Sequence, residues 1–206
     1  MSEKIYFYPV WIRMWHWLNA IIIIMLIFTG VSLQYSNPNY PILKFNVAVK
    51  IHDIAGISLT LLWIFFLIGN LISVNGRYYK ITGKGYLKNT AIQFKYYTIG
   101  IFQKKAPPFP INRDRKFNPL QQISYVITMY VLCFLVILTG WLLFFPEMIF
   151  HKIFGMSGIH LVDLIHVIIG FMVSLFMIIH IYFCTIGKST WSNYKSMMNG
   201  WHETHD

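Results

Sequence analysis

Four long apolar stretches dominate this chain of 206 residues. They cover about residues 11–33, 47–74, 120–145 and 160–186. Each reaches or exceeds the roughly 20 residues needed to cross a hydrocarbon core about 30 Å thick. Because lipid offers the backbone no hydrogen bonds, each crossing stretch has to be a helix. The sequence therefore predicts an all-α membrane protein, with one four-helix transmembrane bundle that forms a single domain over residues 1–206.

The distribution of positive charge predicts how the four helices are oriented. Ten Lys and Arg side chains lie in residues 76–119, between the second and third stretches. Four more, Lys4, Arg13, Lys188 and Lys195, lie towards the termini, whereas the two opposite loops hold only three. Because basic segments stay on the inner side, we expect both termini and the long basic loop in the cytoplasm of a bacterial inner membrane. This topology, together with anionic lipid, accounts for the net charge of +10, so no nucleic-acid partner is expected.

Local signals refine this topology. The first apolar stretch is too long for the core of a signal peptide and no small-residue cleavage site follows it, so we expect it to remain as the first helix. A short helix at about residues 87–102 is expected to lie in the headgroup region. Asn118 and Pro119 predict the start of the third spanning helix. Trp15 and the tryptophans near it are expected to form an interfacial aromatic belt.

Four of the eight histidines lie inside the apolar stretches, His16, His52, His166 and His180, while His160 stands at the mouth of the fourth stretch. Ionisable side chains inside a membrane are candidates for function. His166 and His180 are 14 residues apart on one helix, so their rings share a face about 21 Å apart along the axis. Counted from the helix ends, His16 and His180 match in depth near the inner surface, and His52 and His166 match near the outer surface.

Two depth-matched pairs of imidazoles in a helical bundle predict two haems, because haem iron can take two axial nitrogen ligands from facing helices. We expect His16 to pair with His180, and His52 with His166, as axial ligands. Arg13 lies three residues before His16 on the same helix face, where it could pair with a haem propionate. It could equally be a cationic anchor that reaches the inner surface.

Glycine placement agrees with haem binding. Gly56 follows His52 by four residues and Gly170 follows His166 by four, so each lies on its histidine's face. A residue without Cβ lets a flat macrocycle approach the helix. Gly30 and Gly140 are expected at the depth of the outer pair, although membrane helices also use glycine for close packing.

Short motifs spread over nearly the whole chain resemble the b-type cytochrome subunits of membrane-bound nickel–iron hydrogenases. The gamma subunits of respiratory formate dehydrogenases have related patterns. The motifs are RMWHWLNA and TG in helix one, HDIAG in helix two, FNPLQQ before helix three, LTG in helix three, HVIIG in helix four and MMNG in the tail.

The resemblance implies two b haems held by histidines of helices one, two and four, at positions that match His16, His52, His166 and His180. It also implies a quinone site for menaquinone or ubiquinone near the cytoplasmic haem. Asn118 matches an asparagine that helps to form this site in the formate dehydrogenase type, although a leucine stands two residues later where that relative has glycine. Asn118 could instead be a helix cap.

Together these features predict an electron-transfer subunit rather than an enzyme that breaks substrate bonds. Electrons would pass through the haems between the quinone pool on the cytoplasmic side and an iron–sulfur or multihaem subunit, with its catalytic subunit, on the periplasmic face. The sequence leaves open which catalytic partner this is, the direction of electron flow, and whether the chain itself carries the quinone-reducing site.

Two other functions compete with this interpretation. One is a passive haem-containing anchor for a catalytic partner. The other is a metal-ion transporter that uses intramembrane histidines. A transporter would gather its ligands at one site near the bilayer midplane, whereas these histidines occupy two depths.

Overall fold

The computed structural model describes most of the chain. The described residues are 4–35, 37, 39–81, 83, 85–153, 155–187 and 189–203. Lys84 and Lys188, which contribute to the predicted charge asymmetry, lie outside them.

Among the residues that the structure describes, four helices are long and apolar enough to cross a membrane, as predicted. Three are continuous α-helices: α1 (Val10–Gln34), α2 (Phe45–Ile72) and α6 (Gly158–Cys184). The other span covers Pro119–Phe144. At least seven-tenths of the most apolar window in each helix is not buried by protein, which is expected of a surface that contacts lipid.

The third spanning helix is composite. It starts with α4 (Pro119–Val126), continues through a π-helical segment (Ile127–Leu132) and ends with α5 (Cys133–Phe144). Asn118 caps it, as the sequence allows: its side chain accepts from the backbone N–H of Gln121, while the Gln121 side chain accepts from the backbone N–H of Asn118. This capping box satisfies two backbone donors that a helix N-terminus leaves unpaired.

The second spanning helix ends two residues earlier than predicted. The α-helix stops at Ile72, and Ser73 caps a 3₁₀ helix (Val74–Tyr79) by accepting from the backbone N–H of Asn75. The predicted short helix of the basic loop is present as α3 (Tyr86–Lys95), which continues as a π-helical segment (Tyr96–Gly100).

Two small antiparallel ribbons and a final helix complete the described structure. Strand β1 (Lys4–Tyr6) pairs with β4 (Trp201–Glu203), and β2 (Lys152–Ile153) pairs with β3 (Met156–Ser157). The final helix, α7 (Ser192–Asn199), leads into β4 through Gly200, whose φ of 90° is favourable for glycine. Strands of two or three residues are too short for a period-two pattern, so the sequence does not predict them.

The chain divides into two compact units. The terminal unit contains both chain ends and consists of Met1–Arg13, Leu67–Thr128 and His180–Asp206. The four-helix unit consists of Met14–Phe66 and Met129–Ile179 and includes parts of all four spanning helices.

The four-helix unit has an aliphatic core. Leu132, Ile169 and Val173 are buried together there, and partly buried aliphatic residues from α1 and α5 pack against them. Trp15 also lies inside this unit. It is 7% exposed, donates its indole N–H to the carbonyl of Leu62 and stacks on Phe66. The prediction that Trp15 belongs to an interfacial belt is therefore wrong: its polar atom is satisfied by backbone, so the ring can be buried.

Candidate functional site

The structure brings His52 and His166 together in the four-helix unit. His52 lies on α2 and His166 lies on α6. Their ring centres are 6.2 Å apart and the ring planes are inclined at 73°. These two residues were predicted to share a depth, and their rings are in fact neighbours.

A threonine hydroxyl contacts each of the two imidazoles. Thr29 Oγ1 on α1 is 2.8 Å from His52 Nδ1, and Thr139 Oγ1 on α5 is 2.9 Å from His166 Nδ1. Each hydroxyl also donates to the carbonyl four residues earlier in its own helix, at 2.7 Å for Thr29 and 2.8 Å for Thr139. The same arrangement therefore occurs twice.

These contacts assign the protonation of both rings. A threonine hydroxyl has one hydrogen, and the helix carbonyl takes it. The hydroxyl oxygen can then only accept, so the proton of each neutral imidazole lies on Nδ1 and is donated to threonine. Nε2 of His52 and Nε2 of His166 each keep a lone pair. A hydrogen bond that fixes the tautomer and orientation of an imidazole in this way is typical of metal-ligating histidine.

Four glycines lie near the two rings, two in close contact with an imidazole and two beside open space. A Cβ atom built on Gly30 would lie 3.6 Å from His52 Cε1, and one built on Gly140 would lie 3.3 Å from His166 Cε1, so these glycines let α1 and α5 approach the imidazoles closely. A Cβ built on Gly56 or Gly170 would meet no described neighbour within 4 Å. One helical turn after each histidine there is thus room for a flat ligand.

These residues fit a haem. Two metal–nitrogen bonds of about 2 Å, plus roughly 1 Å from each nitrogen to its ring centre, give about 6 Å between two axial imidazoles. The 6.2 Å between His52 and His166 agrees with this spacing. A b-type haem requires two neutral imidazoles as donors. His52 and His166 provide them, with each Nδ1 hydrogen-bonded and with glycines and aliphatic side chains nearby.

The other two predicted ligands fall in different units. His16 lies on the part of α1 that belongs to the four-helix unit, whereas His180 lies on the part of α6 that belongs to the terminal unit. Their pairing stays a prediction. The surroundings of His180 differ from those of His52: Cys184 Sγ is 3.7 Å from its Nε2, and the ring of Tyr125 is centred 5.9 Å from its ring.

Comparison with known proteins decides the family. The model for prokaryotic cytochrome b561 matches residues 7–200. This chain belongs to the prokaryotic cytochrome b561 family. It is also 35% identical over 201 residues to the protein named "Putative cytochrome YdhU" of Escherichia coli (strain K12). That match covers 98% of this chain and 76% of the Escherichia coli protein.

Family membership confirms the general character predicted from the sequence. The chain is a multi-pass cytochrome of the bacterial inner membrane that carries b-type haem and works in electron transfer with redox partners. No group of three or more His, Cys, Asp or Glu side chains suited to hold a metal ion occurs in the part of the cytochrome that the structure describes.

Asn118 of this cytochrome is a buried helix cap with a further contact. Its Oδ1 accepts from the backbone N–H of Gln121 at 2.9 Å, and its Nδ2 donates to the hydroxyl of Tyr97 at 2.8 Å. Tyr97 lies in the π-helical segment after α3, where burial raises the pKa of its phenol. Asn118 and Tyr97 together form a polar contact in the terminal unit, beneath the ring of Phe183, which is centred 4.5 Å from that of Tyr97.

Arg13 lies in the terminal unit. One guanidinium nitrogen donates to the backbone carbonyl of Met198, while Nε is buried with no hydrogen-bond partner among the described residues. This orphan donor is compatible with an anionic group on a bound ligand, which would satisfy it.

Sequence reasoning missed the two threonines. Thr29 and Thr139 directly precede Gly30 and Gly140, so the dipeptide Thr-Gly occurs once in each helix that approaches a histidine. This repeat was the available signal. Both dipeptides stand among the motifs quoted above, but they predict no contact with histidine because threonine in a membrane helix commonly bonds only to its own backbone.

Proposed function

We propose that this cytochrome carries two b haems, one ligated by His52 and His166 and the other by His16 and His180. We further propose that it passes electrons between a partner on the periplasmic face and quinone near the cytoplasmic face. The observation that supports the proposal is that the same arrangement occurs twice in the four-helix unit: a threonine hydroxyl contacts Nδ1 of an imidazole, which leaves the lone pair on Nε2.

The residues around the outer pair would prepare the site for its cofactor. Thr29 and Thr139 hold both rings in one tautomer, which lowers the cost of ordering the ligands when the haem binds. Gly56 and Gly170 leave room beside the rings, and the aliphatic core of the unit keeps water away. Bound haem supplies the one-electron chemistry, while ligation, hydrogen bonds and low polarity set its potential.

The inner site would use His16 and His180 as ligands, with Arg13 as the partner of a propionate. The orphan Nε of Arg13 supports this role, since a carboxylate would supply the missing acceptor. On the proposed orientation, both termini and the long basic loop are cytoplasmic. The partner on the opposite face would be an iron–sulfur or multihaem subunit with its catalytic subunit, as in hydrogenase or formate dehydrogenase complexes.

The contact between Asn118 and Tyr97 is our candidate for quinone binding. Because the Tyr97 oxygen already accepts from Asn118, the phenol can direct its own O–H towards a quinone carbonyl. Burial raises the pKa of Tyr97, so this proton is retained at neutral pH. Asn118 would act mainly by orienting Tyr97, since both polar atoms of its amide already have partners.

The test is reduction of the purified, haem-loaded protein by a quinol analogue, followed through the haem absorption. Tyr97→Phe should slow this reduction at least tenfold, with haem content and reduction by dithionite unchanged. Tyr40→Phe, at an exposed tyrosine, is the matched control. If quinol does not reduce the wild-type haem while dithionite does, the passive-anchor function is the better account.

A further inference from the structure

A cavity of about 550 Å³ lies in the terminal unit beside the start of α4. Four cationic side chains line it, Arg77, Lys80, Arg115 and Lys116, against a single acidic one, Asp114. Its volume falls within the range of about 300–1,000 Å³ that is usual for ligand sites. An excess of three positive charges around one cavity favours an anionic ligand.

Lys116 gives this cavity a buried cation. Its side chain is only 2% exposed, and its Nζ donates to Asn75 Oδ1 at 2.7 Å. The ammonium group lies over the rings of Tyr8, Tyr78 and Phe117, at 4.5, 5.3 and 5.5 Å from their centres. All four neighbours are neutral, and the described residues record no carboxylate bound to Lys116. Burial accordingly lowers the pKa of Lys116 to about 7.

A buried lysine without a carboxylate is costly, because amide and aromatic groups compensate only part of its lost hydration. An anion in the adjoining cavity would supply the missing charge. Asn75 is itself held by Asn70, since Asn75 Nδ2 donates to Asn70 Oδ1 at 2.8 Å. The Lys116 ammonium is thus fixed in place before any ligand binds, which lowers the entropy cost of binding.

The cations at the mouth of the cavity differ from Lys116 because they are exposed. Lys80 and Arg115 are both exposed, and the Arg115 guanidinium lies 5.6 Å from the ring centre of Phe109. A guanidinium fork matches the paired oxygens of a phosphate, while a lysine acts on it as a point charge. With Arg77, three exposed cations and one buried cation line the cavity, which suits a phosphate group that enters from the surface.

The position of the cavity identifies the source of that phosphate. Pro119 lines it and is also the first residue of the third spanning helix. A cavity at the end of a spanning helix lies where lipid headgroups lie. Tyr78 and Tyr86 in its wall are the residue type that favours the membrane interface. We propose that this cavity binds the phosphate headgroup of an anionic phospholipid.

The experiment uses the full-length, haem-loaded cytochrome, delipidated in mild detergent. Native mass spectrometry would measure how much added phosphatidylglycerol it binds, in comparison with added phosphatidylcholine. The pocket variant is Lys80→Gln with Arg115→Gln. The control is Lys88→Gln with Lys95→Gln, which removes the same charge from exposed positions on α3 outside the cavity.

Phosphatidylglycerol should bind in preference to phosphatidylcholine, and the pocket variant should bind about tenfold less of it, in keeping with the combined loss of two exposed charge contacts. The control should bind it within twofold. Equal losses in both variants would overturn the site, because they would mean diffuse attraction to the whole basic surface. If millimolar inorganic phosphate displaces bound phosphatidylglycerol as effectively as added phosphatidylglycerol does, the lipid is not the ligand and the proposal is overturned.

Discussion

The two units of this cytochrome differ in the partners that they provide for buried polar groups. In the four-helix unit, His52 and His166 are each tied to a threonine hydroxyl, and aliphatic residues fill the rest of the core. In the terminal unit, the interior holds a cation, Lys116, whose partners among the described residues are neutral groups. In the four-helix unit, each Nδ1 is hydrogen-bonded, and the Nε2 lone pairs of His52 and His166 remain for a ligand. In the terminal unit, no carboxylate among the described residues compensates the charge of Lys116.

This difference indicates what each unit is prepared to bind. Two fixed lone pairs in an apolar setting suit a metal in a rigid, flat cofactor that stays bound. An uncompensated cation beside a surface cavity suits an anionic ligand that can exchange. The surroundings of His180 resemble neither, because a thiol and a phenol ring lie next to it in place of a threonine.

The largest effect is expected when the space beside His52 and His166 is filled. Gly56→Phe and Gly170→Phe should each remove about one of two haems per chain, because the new ring would occupy the position of the macrocycle. The helices should still form, because phenylalanine is a better helix former than glycine by a few tenths of a kcal/mol, on the order of 0.4. Haem would be counted by pyridine assay, with Ile57→Phe at an exposed neighbouring position as control.

A smaller effect is expected when the threonine contacts are removed. Thr29→Val and Thr139→Val should each raise the midpoint potential of one haem by a few tens of millivolts, because losing about 1 kcal/mol of hydrogen bonding makes the imidazole a weaker donor to ferric iron. A redox titration measures this. Thr29→Ser and Thr139→Ser keep the hydroxyl and should leave the potential near that of the wild type. A shift as large in the serine variants would contradict the role of the hydroxyls.

The last expected effect is on a different property, the stability of the terminal unit as a function of pH. Burial lowers the pKa of Lys116 from its ordinary 10.5 to about 7. Between these values the unfolded lysine binds a proton and the folded one does not, so stability should rise with pH, by up to about 1.4 kcal/mol per unit. Below pH 7 both states are protonated and this dependence should vanish.

Thermal unfolding of lipid-free protein between pH 6 and 9 would measure that dependence. The wild type should gain stability over this range relative to Lys116→Met, since methionine has no proton to lose. Lys88→Met, at an exposed position, should follow the wild type. If Lys116→Met and the wild type show the same pH profile, Lys116 is not a buried cation. Burial raises the pKa of Tyr8, which faces Lys116, so the Tyr8 phenol stays protonated over this range.

The spanning helices and the outer histidine pair could be predicted because both depend on regular spacing. Apolar stretches of fixed length predict the spans, and distance from the helix ends predicts that His52 and His166 meet. Trp15 was misplaced because its burial depends on the carbonyl of Leu62, which no local pattern indicates.

The interior of the terminal unit could not be predicted for a different reason. Lys116 is one of ten cations in its loop, and the sequence around it does not distinguish it from the others. Its burial depends on Tyr8 and Asn75, which come from distant parts of the chain. The pairing of β1 with β4 brings together the two ends of the chain, and such long-range contacts leave no local trace.

The central claim is that His52 and His166 ligate the same haem. Haem counts and redox titrations of His52→Ala, His166→Ala and the double variant test it most directly. All three should retain about one haem per chain, with the same midpoint potential for the haem that remains. If the two single variants leave haems of different potential, or the double variant loses both haems, the two histidines serve different haems and the account fails.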